Sequence, residues 1–345
     1  MNNSTRLISG TFLGIDHWSD KEGSRFQADI RRMSEEHWRQ MVRDMHAIGI
    51  DTLVFQQCSC SRDGWGKGCA YYCSARRPRF AWMKGDPFGA VVAEATSLGM
   101  TLFYGLGDMY SPDPYRFTQI ALQDALLTAE EILGLYGSLP SFGGWYWTKE
   151  FAPSSISGRD SLRQIIPALR AFHNCPIMLA PNADRPMSPT LLADIDVDIV
   201  AYQDSVGLGV YPDALGRYAR ADRYQTLHRL PILYKGLRWA HDAWQPEDQV
   251  KSYYHYYPRA RGRTAIWNDV EVWEFDHRLA LLPAEFSRVV SQLELTAPYV
   301  EKQIIYQYPG FMCHPDHPVK VGGERAVTLY EQYSLYREHQ LKVKA

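Results

Sequence analysis

Short apolar runs of strand length alternate eight times with helix-length stretches along these 345 residues, and few folds accept that pattern. Runs that are apolar throughout belong to strands covered on both faces, and strands separated by helices pair in parallel. In order, the strand-like segments are Thr11–Gly14, Thr52–Phe55, Leu102–Leu106, Phe142–Trp147, Pro176–Ala180, Asp198–Tyr202, Pro231–Tyr234 and Thr264–Trp267. The first helix is expected to start at a capping Ser34, place Trp38, Met41, Met45 and Ile48 on one face, and stop at Gly49. Further helices are read at about 88–98, 121–135, 160–172, 189–194, 214–227 and 281–293.

Eight such units with no change of composition between halves predict an α/β chain, a closed (β/α)8 TIM barrel rather than an open doubly wound sheet. No Gly-x-Gly-x-x-Gly follows the first strand, which removes the best signal for dinucleotide binding. The expected organisation is a barrel catalytic domain over residues 1–296. A C-terminal extension over 297–345, with a short strand, a loop and a final helix, packs on it.

Composition narrows the function. A hydrophobic share of 46% with 22% charged residues supports a large buried core, and a formal charge of −2 offers no basic surplus for a phosphate backbone. Nucleic acid is therefore not expected as a partner. No run approaches the roughly 18 apolar residues of a membrane span, and the N-terminus lacks a basic segment followed by an apolar one. The sequence as given reads as cytoplasmic, or as secreted or periplasmic with a leader already removed. Ten Trp and 22 Tyr suit sugar rings, whose C–H faces stack on aromatics, although core filling uses the same residues.

In barrels the reacting groups sit at the C-terminal ends of the strands. Acidic residues follow three of the segments above: Glu150 after strand four, Asp204 after strand six, and Glu271 after strand eight, with Glu274 close behind. One strand-end carboxylate is often a helix cap or an ion-pair partner. Three on alternate strands are harder to explain that way, because alternate strands share layers of the barrel. Glycoside hydrolysis needs two carboxyl groups, one to protonate the leaving oxygen and one to attack or to activate water.

Substrate contacts are expected from Gln203, Trp145, Tyr146, Trp267, Trp239, Asp16, His17, Gln57, Asn182, Lys235, Asn268 and Glu274, with Gln56, Asp108 and Arg238 as lesser candidates. Trp65 and Trp273 are further stacking candidates. No cofactor is implied, and no His-x-His or His-Glu-x-x-His spacing supports a metal. Cys58, Cys60, Cys69 and Cys73 share one loop; they suit a tetrahedral metal site, a loop disulfide or plain thiols. Cys313-His314-Pro315-Asp316-His317 also holds metal-ligating residue types, within a proline-flanked loop.

Three segments, Gly144-Trp145-Tyr146-x-x-x-Glu150, Gln203-Asp204-x-Val206-Gly207 and Trp267-x-x-x-Glu271-x-x-Glu274, resemble the signatures of the TIM-barrel family catalogued as domain of unknown function 4434. The helix and Gly-Ile-Asp-Thr turn within Trp38–Thr52 are similar too. That family is grouped with glycoside-hydrolase barrels, so the resemblance implies a carbohydrate substrate and a glycosidase-like activity. It departs from the best-known glycosidase plan, which places paired glutamates after strands four and seven, whereas the seventh segment here ends in Lys235-Gly236-Leu237-Arg238. Glu150 fits the acid/base position, and Glu271, Asp204 or Glu274 is its partner. The rival readings are a non-catalytic carbohydrate-binding barrel, and a polysaccharide lyase or metal-dependent hydrolase on the same fold with Lys235, Tyr202 or His17 moving protons.

Overall fold

The computed structural model describes residues 6–61, 68–109, 113–150, 156–181, 195–204, 206–207, 264–297 and 300–343. Eight parallel strands close into a barrel: β1 (Ile8–Leu13), β2 (Thr52–Phe55), β3 (Thr101–Leu106), β4 (Phe142–Trp147), β5 (Ile177–Leu179), β6 (Ile199–Gln203), β7 (Ala265–Glu271) and β8 (Lys302–Tyr306). Each pairs with its neighbours in the chain order just given, and β8 pairs back onto β1.

Around the ring lie α1 (Gln27–Arg32), α2 (Glu35–Ala47), α3 (Pro87–Ser97), α4 (Thr118–Tyr136), α5 (Ile156–Phe172), α6 (Phe286–Thr296) and α7 (Gly323–Lys342). Ser34 caps α2 as expected, its hydroxyl accepting from the His37 N–H at 3.3 Å. Gly49 follows the helix at φ +89°, a backbone conformation that costs a side-chain-bearing residue steric strain.

The ring differs from the sequence reading in one consequential place. The segment expected as the eighth strand, Thr264–Trp267, begins the seventh, and the ring is closed by Lys302–Tyr306, which the sequence reading put in the C-terminal extension. Residues 231–234, expected as strand seven, lie outside the described residues, as does the helix expected at 214–227. The helix expected from 281 starts later: Leu281–Pro283 pairs antiparallel with Trp273–Phe275 in a hairpin, and the helix begins at Phe286.

Strand side chains alternate between the barrel interior and the helix layer, and the two core clusters follow this period. Phe12, Val54, Phe103, Tyr146, Met178, Ile199, Ala201 and Ile304 fill the interior. The residues between them, such as Leu13, Leu53, Tyr104, Trp145, Val200, Ile266 and Ile305, pack outward against the helices. Burying each large side chain contributes about 1.5–3 kcal/mol, so the alternation fixes which residue at each strand end can face the mouth.

Candidate functional site

Extending the inward parity to the C-terminal ends defines the mouth. On β7, Trp267 packs in the interior, so Asp269 and Glu271 share its face, while Val270 joins the outer core. On β6, Ile199 and Ala201 point inward and Gln203 continues their column; on β8, Ile304 is followed by Tyr306. The parallel register sets Glu271 beside Tyr306 and Asp269 beside Gln203. On β2 the inward column runs from Val54 to Gln56, whose amide donates to the Tyr306 hydroxyl at 2.9 Å.

Glu150 stands at the lip, three residues beyond β4, above Tyr146. Tyr146 meets the ring of Phe12 edge to face at 5.1 Å and floors the site. The Tyr115 hydroxyl donates to the backbone oxygens of Lys149 and Glu150 at 3.0 Å each, which fixes the chain at this turn. Glu150 is exposed, yet protein crowds its carboxyl; this loss of solvation raises its pKa, against the influence of the Gln203 side chain and the charge of Lys149. The Lys149 ammonium itself donates to the Met109 carbonyl at 3.3 Å.

Glu271 is only 3% exposed. Gly207, in the turn after β6, packs against it: a Cβ there would lie 2.9 Å from Glu271 Oε2 and 2.4 Å from the Trp273 carbonyl oxygen. Asp204 follows β6 on the outward side. Its Oδ1 accepts from the Val206 N–H at 3.1 Å and the Glu271 N–H at 3.4 Å, and its Oδ2 from the Gln292 amide of α6 at 2.6 Å. Burial raises its pKa to about 6, against these donors and the charge of Arg288. Asp204 thus braces the backbone of Glu271 from behind.

Asp269, beneath Glu271, is 2% exposed, and among the described residues its Oδ1 has no hydrogen-bond partner. Burial, then the charges of Glu271, Asp204 and Glu150, push its pKa well up.

The other sequence candidates divide sharply. Trp145 faces outward among Phe142, Tyr104 and His173, because it alternates with Tyr146. Trp267 faces inward but low in the barrel, in register with Lys302, whose ammonium lies 5.2 Å from its ring centroid. Asn268 points to the helix layer and donates to Thr296 Oγ1 and Gln303 Oε1 at 3.0 and 2.8 Å. Gln57 likewise turns outward to Tyr71, so its neighbour Gln56 is the residue at the mouth.

Asp16 is held by two Arg31 hydrogen bonds of 3.0 Å, and Glu274, on the hairpin, pairs with Arg325 of α7 at 3.4 Å. Trp273 is buried in the same hairpin against Phe275. His17 does reach the site: its Nε2 lies 3.4 Å from the Tyr306 hydroxyl, and burial lowers its pKa to about 4, against its bond to Ser19 and the charge of Asp20. Asn182, Lys235, Trp239, Arg238 and Trp65 lie outside the described residues.

Tyr306 is not among the sequence candidates because Gln303–Tyr306 reads there as part of the C-terminal extension. Glu22 was missed too; it lies on the turn after β1, and the only available signal was its place after a strand. His317 of the tail cluster is a packing residue, with its ring nitrogens 2.7 Å from the Val319 oxygen and 3.0 Å from the His37 oxygen. Cys60 and Cys69 face each other across a two-stranded hairpin (Ser59–Cys60 with Cys69–Ala70).

A closed ring of eight parallel strands with helices around it is a TIM barrel. The chain belongs to the family described as Domain of unknown function (DUF4434), whose model matches residues 8–320. No curated protein sequence matches it.

Among solved structures it is similar to a "putative alpha-L-fucosidase" from Bacteroides thetaiotaomicron, with a TM-score of 0.66, 20% identity, and 96% of this chain and 93% of that one covered. It is also similar to a glycoside hydrolase family 5 mannosidase from Rhizomucor miehei, with a TM-score of 0.56, 11% identity and coverage of 98% and 94%. An endo-1,4-beta-mannanase from the same organism aligns with a TM-score of 0.55, 10% identity and coverage of 96% and 95%. At these identities the likeness is one of fold. No helix among the described residues is long and apolar enough to cross a membrane.

Proposed function

We propose that the chain is a glycosidase, cleaving a glycosidic bond in an oligo- or polysaccharide with Glu150 as general acid/base and Glu271 as its partner. The observation that carries this reading is the position of the two glutamates at the ends of barrel strands four and seven, on the faces that look into the mouth. With the ring counted from the structure, the apparent departure from the strand-four and strand-seven plan disappears, since Glu271 terminates β7.

The environments suit the roles. Glu150 has a raised pKa, as a proton donor to the leaving oxygen needs, and the nearby Gln203 side chain favours the carboxylate once the proton has gone. Glu271 is fixed through its backbone by Asp204 and through its side chain by the closeness of Gly207. Asp204 is a positioning residue in this scheme and Gln203 a second contact to the acid. Tyr306, Gln56 and His17 line the β1, β2 and β8 side with hydroxyl, amide and neutral imidazole, groups that exchange hydrogen bonds with sugar hydroxyls.

A panel of 4-nitrophenyl glycosides, beginning with α-L-fucoside and β-D-mannoside, tests the proposal. One or more is hydrolysed by the wild type, with turnover falling at least 100-fold in Glu150→Gln and in Glu271→Gln. The anomeric form of the first product assigns Glu271: retention makes it the nucleophile, inversion the base for water. Near-wild-type turnover in both variants rejects the pair.

A further inference from the structure

The turn between β1 and α1 is tied down far more heavily than a connection requires. Gln27 Oε1 accepts from the His17 N–H at 2.8 Å, and Gln27 Nε2 donates to the His17 carbonyl and to Asp20 at 3.2 Å each. Arg31 spans Asp16 and Asp20, at 3.0 and 3.1 Å. The Gly23 and Glu22 N–H groups bond Ser19, at its carbonyl (2.8 Å) and hydroxyl (3.3 Å). Arg25 reaches across to Asp276 of the hairpin after β7, its Nε at 3.0 Å. These tethers hold a single 3-10 turn, Glu22–Arg25, beside the mouth.

Glu22 begins that turn. Its side chain is half-buried, and among the described residues its carboxylate takes no hydrogen bond and no ion pair. It lies close enough to Glu150 and to the Tyr306 hydroxyl for its charge to act on both. The turn packs on His17, where a Cβ on Gly23 would lie 2.9 Å from the His17 Cβ, and His17 Nε2 lies 3.4 Å from the Tyr306 hydroxyl, so a rigid turn carries an unpartnered carboxylate on the β1 and β8 side of the mouth, the form of a contact awaiting a ligand.

We propose that Glu22 is a substrate-contacting residue that binds a hydroxyl of the sugar on which Glu150 acts, and that it selects neutral sugars over uronic acids. The proposal rests on reading the mouth as a glycosidase site. Burial, then the charge of Glu150, raises the Glu22 pKa to about 7, against the charge of Lys21. A carboxyl poised there accepts a hydrogen bond from a sugar hydroxyl when ionised and donates one when protonated. A uronate would bring a third carboxylate against Glu22 and Glu150, an unfavourable like-charge contact in a partly desolvated cleft.

Calorimetric titration of wild type, Glu22→Ala and Glu22→Gln with the methyl glycosides of L-fucose, D-mannose and D-glucuronic acid tests this without requiring turnover. A neutral glycoside is expected to bind the wild type and the uronate not to. Glu22→Ala should weaken that binding about tenfold, the worth of one hydrogen bond to a charged group, and Glu22→Gln by less. Among monodeoxy analogues of the bound sugar, the one lacking the contacted hydroxyl should bind wild type and Glu22→Ala alike. Unchanged affinity in Glu22→Ala, preference for the uronate, no binding of either neutral glycoside, or an equal loss for every analogue overturns the proposal. The glycosidase reading fails by a different signature: sugar binding that depends on Glu22, with no glycoside hydrolysed or with hydrolysis indifferent to Glu150→Gln and Glu271→Gln.

Discussion

Replacing Asp269 by Asn should make the protein more stable as the pH rises, and the size of the gain follows from the proton Asp269 holds. The side chain is 2% exposed, its Oδ1 lacks a partner among the described residues, and Glu271, Asp204 and Glu150 all bear on it with like charge. Burial and these charges raise its pKa in the folded state, so between the unfolded carboxylate value of about 4 and the folded value the native protein binds one proton more than the unfolded chain. Stability from this group is complete below that unfolded value and is lost as the pH climbs toward the folded one, at about 1.4 kcal/mol per pH unit. Asn is neutral throughout and of the same shape, so it removes that slope. Urea denaturation of wild type and Asp269→Asn at several pH values above 4 measures the difference. A gap that widens with pH, with a slope approaching 1.4 kcal/mol per unit, is expected. A constant gap would mean that Asp269 exchanges no proton on unfolding and would refute the reasoning.

Three further outcomes follow from the packing behind the mouth. Gly207→Ala would push a methyl group against the Trp273 carbonyl and Glu271 Oε2; a cost of about 1–3 kcal/mol in thermal unfolding and a fall in turnover larger than that cost alone implies should be measurable. Asp204→Ala strands the donors of Val206, Gln292 and Glu271 and should cost about 3 kcal/mol in denaturant titration. Asp204→Asn should cost only about 1 kcal/mol, because a rotated Gln292 can offer its unpartnered Oε1 to the new amide. Trp267→Ala should lower stability by about 3 kcal/mol while leaving KM for any glycoside unchanged, since that ring lies low in the barrel beside Lys302. A raised KM would return Trp267 to the mouth.

The strands up to β6 could be read from the chain because each is an uninterrupted apolar run bounded by a helix with clear ends, as at Ser34 and Gly49. Closure of the ring could not, because Gln303–Tyr306 is no more strand-like in sequence than Pro231–Tyr234, and its pairing with β1 leaves no local pattern. That one displacement set Glu271 after an eighth strand, whereas it ends β7. Glu150 and Glu271 could be placed after strands from sequence because acidic residues following apolar runs stand out. The choice between neighbours was not: Gln56 against Gln57, or Asp269 against Asn268, depends on a period of two counted from an interior residue such as Val54 or Trp267. Trp145 and Tyr146 show the same limit, since two adjacent aromatics on one strand must face opposite ways, and Tyr146 is the one inside. Glu22 and Tyr306 owe their position to loop tethers and strand register, which leave no local pattern in sequence.

The pairing of Glu150 with Glu271 is tested most directly by leaving-group dependence. On a 2,4-dinitrophenyl glycoside, whose leaving group needs no proton, Glu150→Gln should keep most of the first-step rate, measured as the burst or single-turnover release of dinitrophenolate, and lose it on an unactivated alkyl glycoside. Glu271→Gln should be slow on both. Equal losses for Glu150→Gln on the two substrates, or an undiminished Glu271→Gln, would contradict the assignment of acid to the end of β4 and of its partner to the end of β7.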